Sequence, residues 1–322
     1  MGAMTKTHAL DDSLENLHGH LGRDLPPRLT IDSGDTVVYH TRDAGWGDRP
    51  PHLGGESLGV RPEGAGHALS GPVFVRGAEP GDVLEVEIGQ IVPSDWGFGV
   101  HRPGRARISG ILGGRPDDVA EPWFRHYQLD RARGVYPFGP GIEVPARPFM
   151  GIYATAPDQP APVPTAYPGP HGGNMDCREL TTGTTLYLPV FVPGALFSVG
   201  DGHGAQGDGE VDGAAVETGM ARLSLRLTAR KGMSIERPRA ETASALMFLA
   251  FDEDLDEAIV VATRDAILFL ERERGLSRDE AYNLCSLALD LRISQVVDGL
   301  KGVHAVLPKA IFTERAPTFA PG

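Results

Sequence analysis

Gly71-Pro-Val-Phe-Val-Arg-Gly-Ala-Glu-Pro-Gly-Asp-Val-Leu-Glu-Val-Glu-Ile88 reads as two short strands around a turn. In its second half Val83, Glu85 and Glu87 face one way, and Leu84, Val86 and Ile88 face the other. That period of two marks a strand with one buried face. Pro80, Gly81 and Asp82 supply the turn chemistry between the strands. The texture continues on both sides. From Thr36 to Ile91 short β-branched runs alternate with Gly and Pro, and residues 185–192, 195–199 and 221–228 read as further strands. This part of the chain is antiparallel β.

The chain has 322 residues, 41% of them hydrophobic, which is enough for a substantial core and predicts two compact units or one large β-rich unit with an appendage. Its 42 Gly and 27 Pro fit many short strands and turns. Six prolines between Pro157 and Pro170 forbid helix and predict an extended crossover. After Ala245-Leu-Met-Phe-Leu-Ala250 the period changes. Ile259, Thr263, Ala266, Ile267 and Leu270 fall at helical spacing, and Gly275 is a stop signal. Ser277-Arg-Asp-Glu280 is a capping box for a second helix, whose apolar face carries Ala281, Leu284, Cys285, Ala288 and Leu291. A short strand closes the pattern at 303–307. The predicted organisation is an N-terminal tail (1–30), a β-rich core (31–245) and a C-terminal α+β portion (246–322).

Composition removes several function classes. Lys+Arg 30 against Asp+Glu 43 gives a net charge of −13, which argues against a nucleic-acid partner. Lys6, Lys231, Lys301 and Lys309 are the only lysines, so Schiff-base and P-loop chemistry have few candidates. Cys177 and Cys285 cannot build a disulfide framework or a four-sulfur zinc site. No run approaches the ~20 apolar residues of a membrane helix, and no apolar signal region opens the chain. Met1-Gly-Ala-Met4 reads as an expression remnant. A soluble protein of a reducing compartment is expected. There is no Ser-x-x-Lys, no Walker loop and no strand-linked Gly-x-Gly-x-x-Gly opening a helix.

Two Gly-rich segments hold the candidate chemistry: His171-Gly-Gly-Asn-Met-Asp176 and Gly200-Asp-Gly-His-Gly-Ala-Gln-Gly-Asp-Gly-Glu210. Asp201 and His203, at i and i+2, share a side of an extended chain, and carboxylate plus imidazole suits a divalent metal such as zinc. Such a metal polarises a carbonyl and lowers the pKa of a bound water to ~7. Glu210, or second to it Glu217, would then take and return the proton. Turn chemistry offers a structural explanation of the same residues, because Asp and Asn beside Gly form tight turns. An EF-hand is excluded, since Gln206 stands where that loop requires Gly. His40 and Asp43 end the first clear strand and His101 follows Trp96-Gly-Phe-Gly99, so all three are further candidates to line a pocket. Cys177 adjoins the first loop and has two readings, thiol nucleophile or small buried hydrophobe. Cys285 and His304 are assigned to packing.

These segments, together with Gly71–Glu87, Glu280-Ala-Tyr-Asn-Leu-Cys-Ser-Leu-Ala-Leu-Asp-Leu291 and Gly302-Val-His-Ala-Val-Leu-Pro308, resemble the acetamidase/formamidase family. The resemblance runs from about Thr36 to Phe312. It implies hydrolysis of a short linear amide to a carboxylic acid and ammonia, on a mainly β, jelly-roll-like sandwich with a small C-terminal α+β portion. It also implies a cytoplasmic homo-oligomer, such as a dimer, and a divalent metal, zinc or calcium. Carried over by position, its loops give Asn174, Asp176, Asp201, His203, Gln206 and Glu210. The roles assigned on that basis make Asp176, Asp201 and His203 metal ligands, with His171 a fourth candidate. Glu210 is the base, and Asn174 and Gln206 hold the amide or its oxyanion. Met175 stands where some formamidases carry a cysteine, which weakens a cysteine mechanism. The segment between Gly114 and Val144, with Trp123, Phe124 and Tyr127, is expected to shape a larger pocket.

Three hypotheses follow. The first is a metal-assisted hydrolase of formamide- or acetamide-like substrates. The second is an amidase of a larger amide or related C–N bond. The third is a non-catalytic small-molecule or metal-binding protein.

Overall fold

A computed structural model describes residues 5–54, 56–101, 123–314 and 316–320. Met1–Met4 and part of the 114–144 segment lie outside them. The protein is mainly β, built on two large sheets. The first has nine strands, in the order Thr7–Leu10, Thr36–Thr41, Met220–Arg230, Val83–Pro93, Thr185–Pro189, Arg239–Glu241, Ala245–Asp252, Lys301–Pro308 and Asp290–Gln295. The second has seven. Pro168–Gly169, Gly172–Asn174, Phe149–Ala154, Phe197–His203, Leu69–Arg76 and Leu17–His18 run in order, and Leu29–Asp32 pairs parallel with Leu69–Arg76.

Alternation along the strands explains why the sheets stack. Leu84, Val86 and Ile88 point into one buried cluster with Leu186, Leu188 and Leu225 of their own sheet and Val73, Met150 and Phe197 of the other. Each such side chain contributes ~1.5–3 kcal/mol on burial, so the shared core fixes the register of both sheets. Glu85, on the opposite side, is held by Arg230 at 2.7 and 2.8 Å. The nine-stranded sheet is buried on both faces in its far half. There Met247 and Leu249 face the sandwich, while Leu246, Phe248 and Ala250 face two helices.

Those helices are Leu255–Arg274 and Arg278–Ala288. Asp254 caps the first, Gly275 ends it in the left-handed region, and Ser277 with Glu280 forms the expected capping box. Leu291 is not on the second helix. It sits on the edge strand Asp290–Gln295 and is 46% exposed. No helix among the described residues is long and apolar enough to cross a membrane.

Four local features differ from the sequence reading. The turn at 77–82 does not close a hairpin: Leu69–Arg76 and Val83–Pro93 lie in different sheets, and Gly81 N–H donates to Val190 O at 2.9 Å. Its chemistry is a turn, but its role is a crossover between layers. Residues 7–10, 17–18 and 29–32 pair into the sheets. The strand expected from Ala195 begins at Phe197, because Ala195 and Leu196 have φ of 59° and 46°. The sheet runs on through residue 245, since Ala245–Asp252 pairs with Arg239–Glu241.

Candidate active site

Both Gly-rich segments meet at one end of the seven-stranded sheet. Phe197–His203 pairs antiparallel with Phe149–Ala154, which pairs on its other side with Gly172–Asn174. The chain then turns sharply, so that Asp176 lies beside its own sheet. Gly200 and Gly202 have no room for a side chain, their Cβ positions falling against Ala68 O and Thr218 O of neighbouring segments. Asp201 and His203 use the opposite face. Glu210 and Glu217 arrive on the loop that follows.

His203 is the hub. Its Nδ1 lies 3.7 Å from Asp176 Oδ1, and its Nε2 lies 3.4 Å from Asp201 Oδ1 and 3.5 Å from Glu217 Oε1. Asp176, His203 and Glu210 offer donor atoms all within 4.8 Å of one another, and so do Asp201, His203 and Glu217. Every one of these residues is buried. Three of the carboxylates sit on left-handed backbone: Asp176 at φ 45°, Asp201 at 59° and Glu210 at 45°. Such conformations are costly outside glycine and gather where function over-determines the chain.

Packing like charges in a low dielectric sets the protonation states. Burial raises Glu210 well above the usual carboxylate range, and the Asp176 and Asp298 carboxylates push it further. Burial likewise raises Asp298, reinforced by the neighbouring Asp176 charge. Asp176 is pushed up to about 6 by burial, against the opposing pull of His203 and with the Asp201 charge adding to the rise. Asp201 is held at about 2: burial opposes its ionisation, but the His203 imidazolium outweighs that. His203 rises well above its ordinary value, because the Glu217 and Asp201 charges overcome its burial.

The donor set fits a divalent cation. Both Asp176 oxygens, Glu210 Oε2, Glu217 Oε2, Asp298 Oδ2 and His203 Nδ1 are buried without a hydrogen-bond partner. Unpaired buried carboxylate oxygens are expensive, and a shared cation is the economical way to satisfy several at once. Gly151 lies under the cluster, where a Cβ would press on Asp176 Oδ1 and come within 2.6 Å of Asp201 Oδ2 and 3.0 Å of His203 Cε1. The groups therefore converge on a point that only glycine leaves open.

A model of the Acetamidase/Formamidase family matches residues 3–164 and 161–314. The chain belongs to the acetamidase/formamidase family. A solved acetamidase structure from Bacillus halodurans is 32% identical, with a TM-score of 0.84 over 94% of this chain and 98% of that one. An acetamidase of Mycolicibacterium smegmatis is 28% identical over 258 residues, 61% of this chain and 61% of its own length. A formamidase of Methylophilus methylotrophus is 31% identical over 195 residues, 45% of this chain and 47% of its own length. The match thus spans between about half and three-fifths of these curated relatives.

Within this acetamidase/formamidase chain the expected residues divide. Asn174, Asp201, His203, Glu210 and Glu217 line a cavity of about 1490 Å³, with Asp176 directly behind them. Asn174 Oδ1 is buried and unpaired. Glu217, read from sequence as a lesser candidate, faces His203 directly. Asp43 lines the same cavity, its Oδ1 accepting from Gly45 N at 2.8 Å, and burial raises it to about 6. Gln206 is brought in differently. Its Nε2 donates to Asp176 O at 2.9 Å and Ser294 O at 3.3 Å, so it holds the loop, and it does not line this cavity. His171 packs against Gly169 and Gly173 and joins neither donor group. His40 is exposed on its strand, away from the cavity. His101 ends the strand Trp96–His101, and its side chain lies outside the described residues.

Cys177 is fully buried, with its thiol against Glu179 Oε2 at 3.6 Å. Burial and the Glu179 charge raise its pKa, the reverse of what a thiolate nucleophile needs. Asp298 escaped the sequence reading. Its signal was an Asp298-Gly299 pair, which reads only as a turn. Gln295 shapes that turn, its Oε1 accepting from Val297 N at 2.9 Å and Asp298 N at 3.1 Å.

Proposed function

We propose that this protein hydrolyses a linear amide to a carboxylic acid and an amine or ammonia, with a divalent cation held by Asp176, Asp201 and His203. Zinc suits the imidazole and carboxylate donors, and the oxygen-rich set also accepts calcium. The observation that carries this reading is the set of unpaired buried carboxylates converging on His203 at the cavity floor. The names of the relatives, acetamidase and formamidase, support the amide as substrate.

A cation bound there would polarise the amide carbonyl and acidify a water molecule. Glu210 faces the cavity with Oε2 unpaired, so that oxygen takes the water's proton and delivers it to the departing nitrogen. Burial, with crowding by Asp176 and Asp298, favours its protonated form, and a bound cation would favour the carboxylate. Asn174 presents its side-chain amide to the developing oxyanion. Glu217 and Asp201 fix the His203 ring from one side while Phe149 packs edge-on against it at 5.0 Å. A cytoplasmic homodimer belongs to the same proposal. Tyr282 and Leu287, 63% and 76% exposed on the second helix, are apolar surface such a contact would cover, and sedimentation reads it.

The test is ammonia release from formamide and acetamide, before and after chelation and zinc restoration. Turnover should be lost with chelator and recovered with zinc. Glu210→Gln should reduce it by ~10²–10⁴-fold, the usual worth of a general acid–base group. Cys177→Ser should retain it. Turnover indifferent to chelation, or unchanged in Glu210→Gln, overturns the mechanism.

A further inference from the structure

We infer that the amide this site is shaped for carries an aryl group. This rests on the amide-hydrolase reading above and concerns what occupies the rest of the cavity. About 1490 Å³ exceeds even the ~300–1,000 Å³ of pockets that enclose drug-sized ligands. Formamide or acetamide would leave nearly all of it to water.

The wall that rises from the catalytic floor is aromatic. Strands Trp96–His101 and Trp123–Gln128 pair antiparallel and bring Phe98 and Phe124 into a stack, with centroids 5.4 Å apart and planes at 25°. The stack is tied to the reacting centre through the backbone. Phe98 N–H donates to Glu217 O at 2.9 Å, and Glu217 N–H donates to Phe98 O at 2.8 Å. A ring resting on Phe124 therefore keeps a fixed relation to the Glu217 and His203 side chains.

The Pro-rich crossover adds a further aromatic. Tyr167 lies over Gly299, the residue after Asp298, so closely that a Cβ there would be 2.9 Å from its ring. Both Tyr167 and Trp123 line the cavity while remaining 47% and 42% exposed. Half-wet aromatic faces beside a buried reactive centre gain most from a flat apolar group.

The reaction is R–CO–NH–R′ + H₂O → R–COOH + R′–NH₂. The water oxygen bonds to the carbonyl carbon, the C–N bond breaks, and the nitrogen leaves with the proton Glu210 carries. The ring can sit on either side of that bond, so three probes are compared with the metal-loaded full chain: acetamide, phenylacetamide and N-benzylacetamide. One aryl amide should exceed acetamide in kcat/KM by ~10–100-fold, the gain expected from burying a ring. Which of the two exceeds it assigns the ring to the acyl or the amine side. Phe124→Ala and Tyr167→Ala should each lower the ratio of aryl-amide to acetamide kcat/KM, and the exposed position of Tyr167 keeps its variant folded. Hydrolysis of acetamide as fast as both aryl amides overturns the inference while the amidase reading stands. Hydrolysis of none of the three overturns the amidase reading itself, and the inference with it.

Discussion

Arg292 grips Asp208, its Nη2 donating to Oδ2 at 2.6 Å and its Nε to the same oxygen at 3.0 Å. The same guanidinium pairs with Glu179, and Arg178 Nε reaches Asp208 Oδ1 at 2.9 Å. Asp208 precedes Glu210 by two residues, Glu179 follows Asp176 by three, and Arg292 stands on the strand that leads to Asp298. One side chain thus ties together the three loops that carry the buried acids.

Arg292 is accordingly a positioning residue. Arg292→Gln should lower kcat by ~10–100-fold with a smaller change in KM, because misplacing the acids disturbs the reacting geometry more than the cavity walls. Arg292→Lys should restore part of the loss, since it keeps the charge and gives up the fork. Steady-state kinetics of the two variants decide this. Equal kcat in wild type and Arg292→Gln would remove the role.

Gly151 gives a second expectation. Its Cβ would occupy the space where Asp201 and His203 converge, 2.6 and 3.0 Å from their atoms. Gly151→Ala should weaken zinc binding ~10-fold or more while leaving the circular dichroism spectrum of the sandwich unchanged. Calorimetric titration with zinc alone measures it, without recourse to activity. Wild-type affinity in that variant would place the cation elsewhere.

Zinc affinity should also depend on pH in a defined sense. Asp176 is raised from 3.8 to about 6 by burial, with the Asp201 charge adding and His203 opposing. The folded, cation-free protein therefore keeps a proton that the unfolded chain has already released, and its stability falls as pH rises from 3.8 through about 6. A cation competes with that proton. Apparent zinc affinity should fall by ~10-fold per pH unit below 6 for each proton displaced, and the rise in Tm on adding zinc should shrink from pH 7 to pH 5. An affinity flat across that interval would exclude Asp176 as a ligand.

Much of this architecture is written locally. The alternation at Leu84, Val86 and Ile88, the stop at Gly275 and the Ser277 box depend on near neighbours, and each appears where its pattern requires. Asp201 and His203 were readable together for the same reason. Long-range relations were not. Nothing in the Pro80-Gly81-Asp82 turn says whether its strands pair or part between layers. His40, adjacent in sequence to a buried Tyr39, faces out, since alternation gives its phase only once the sheet is known. Gln206 sits inside the right segment, yet the Asp176 and Ser294 carbonyls claim its amide. Asp298 enters from almost ninety residues beyond Glu210, carried by strand pairing that no local pattern announces.

The left-handed backbone at Asp176, Asp201 and Glu210 has a consequence for engineering. Each is a position where glycine would relieve about 1 kcal/mol of conformational cost, and asparagine part of it. Neither supplies the missing negative charge. A library screened for heat resistance alone would therefore enrich glycine or asparagine at these three positions first, and each gain would delete part of the centre. Stabilisation of this scaffold should start from the helices and the outer sheet face, and every heat-selected clone should be assayed for zinc retention.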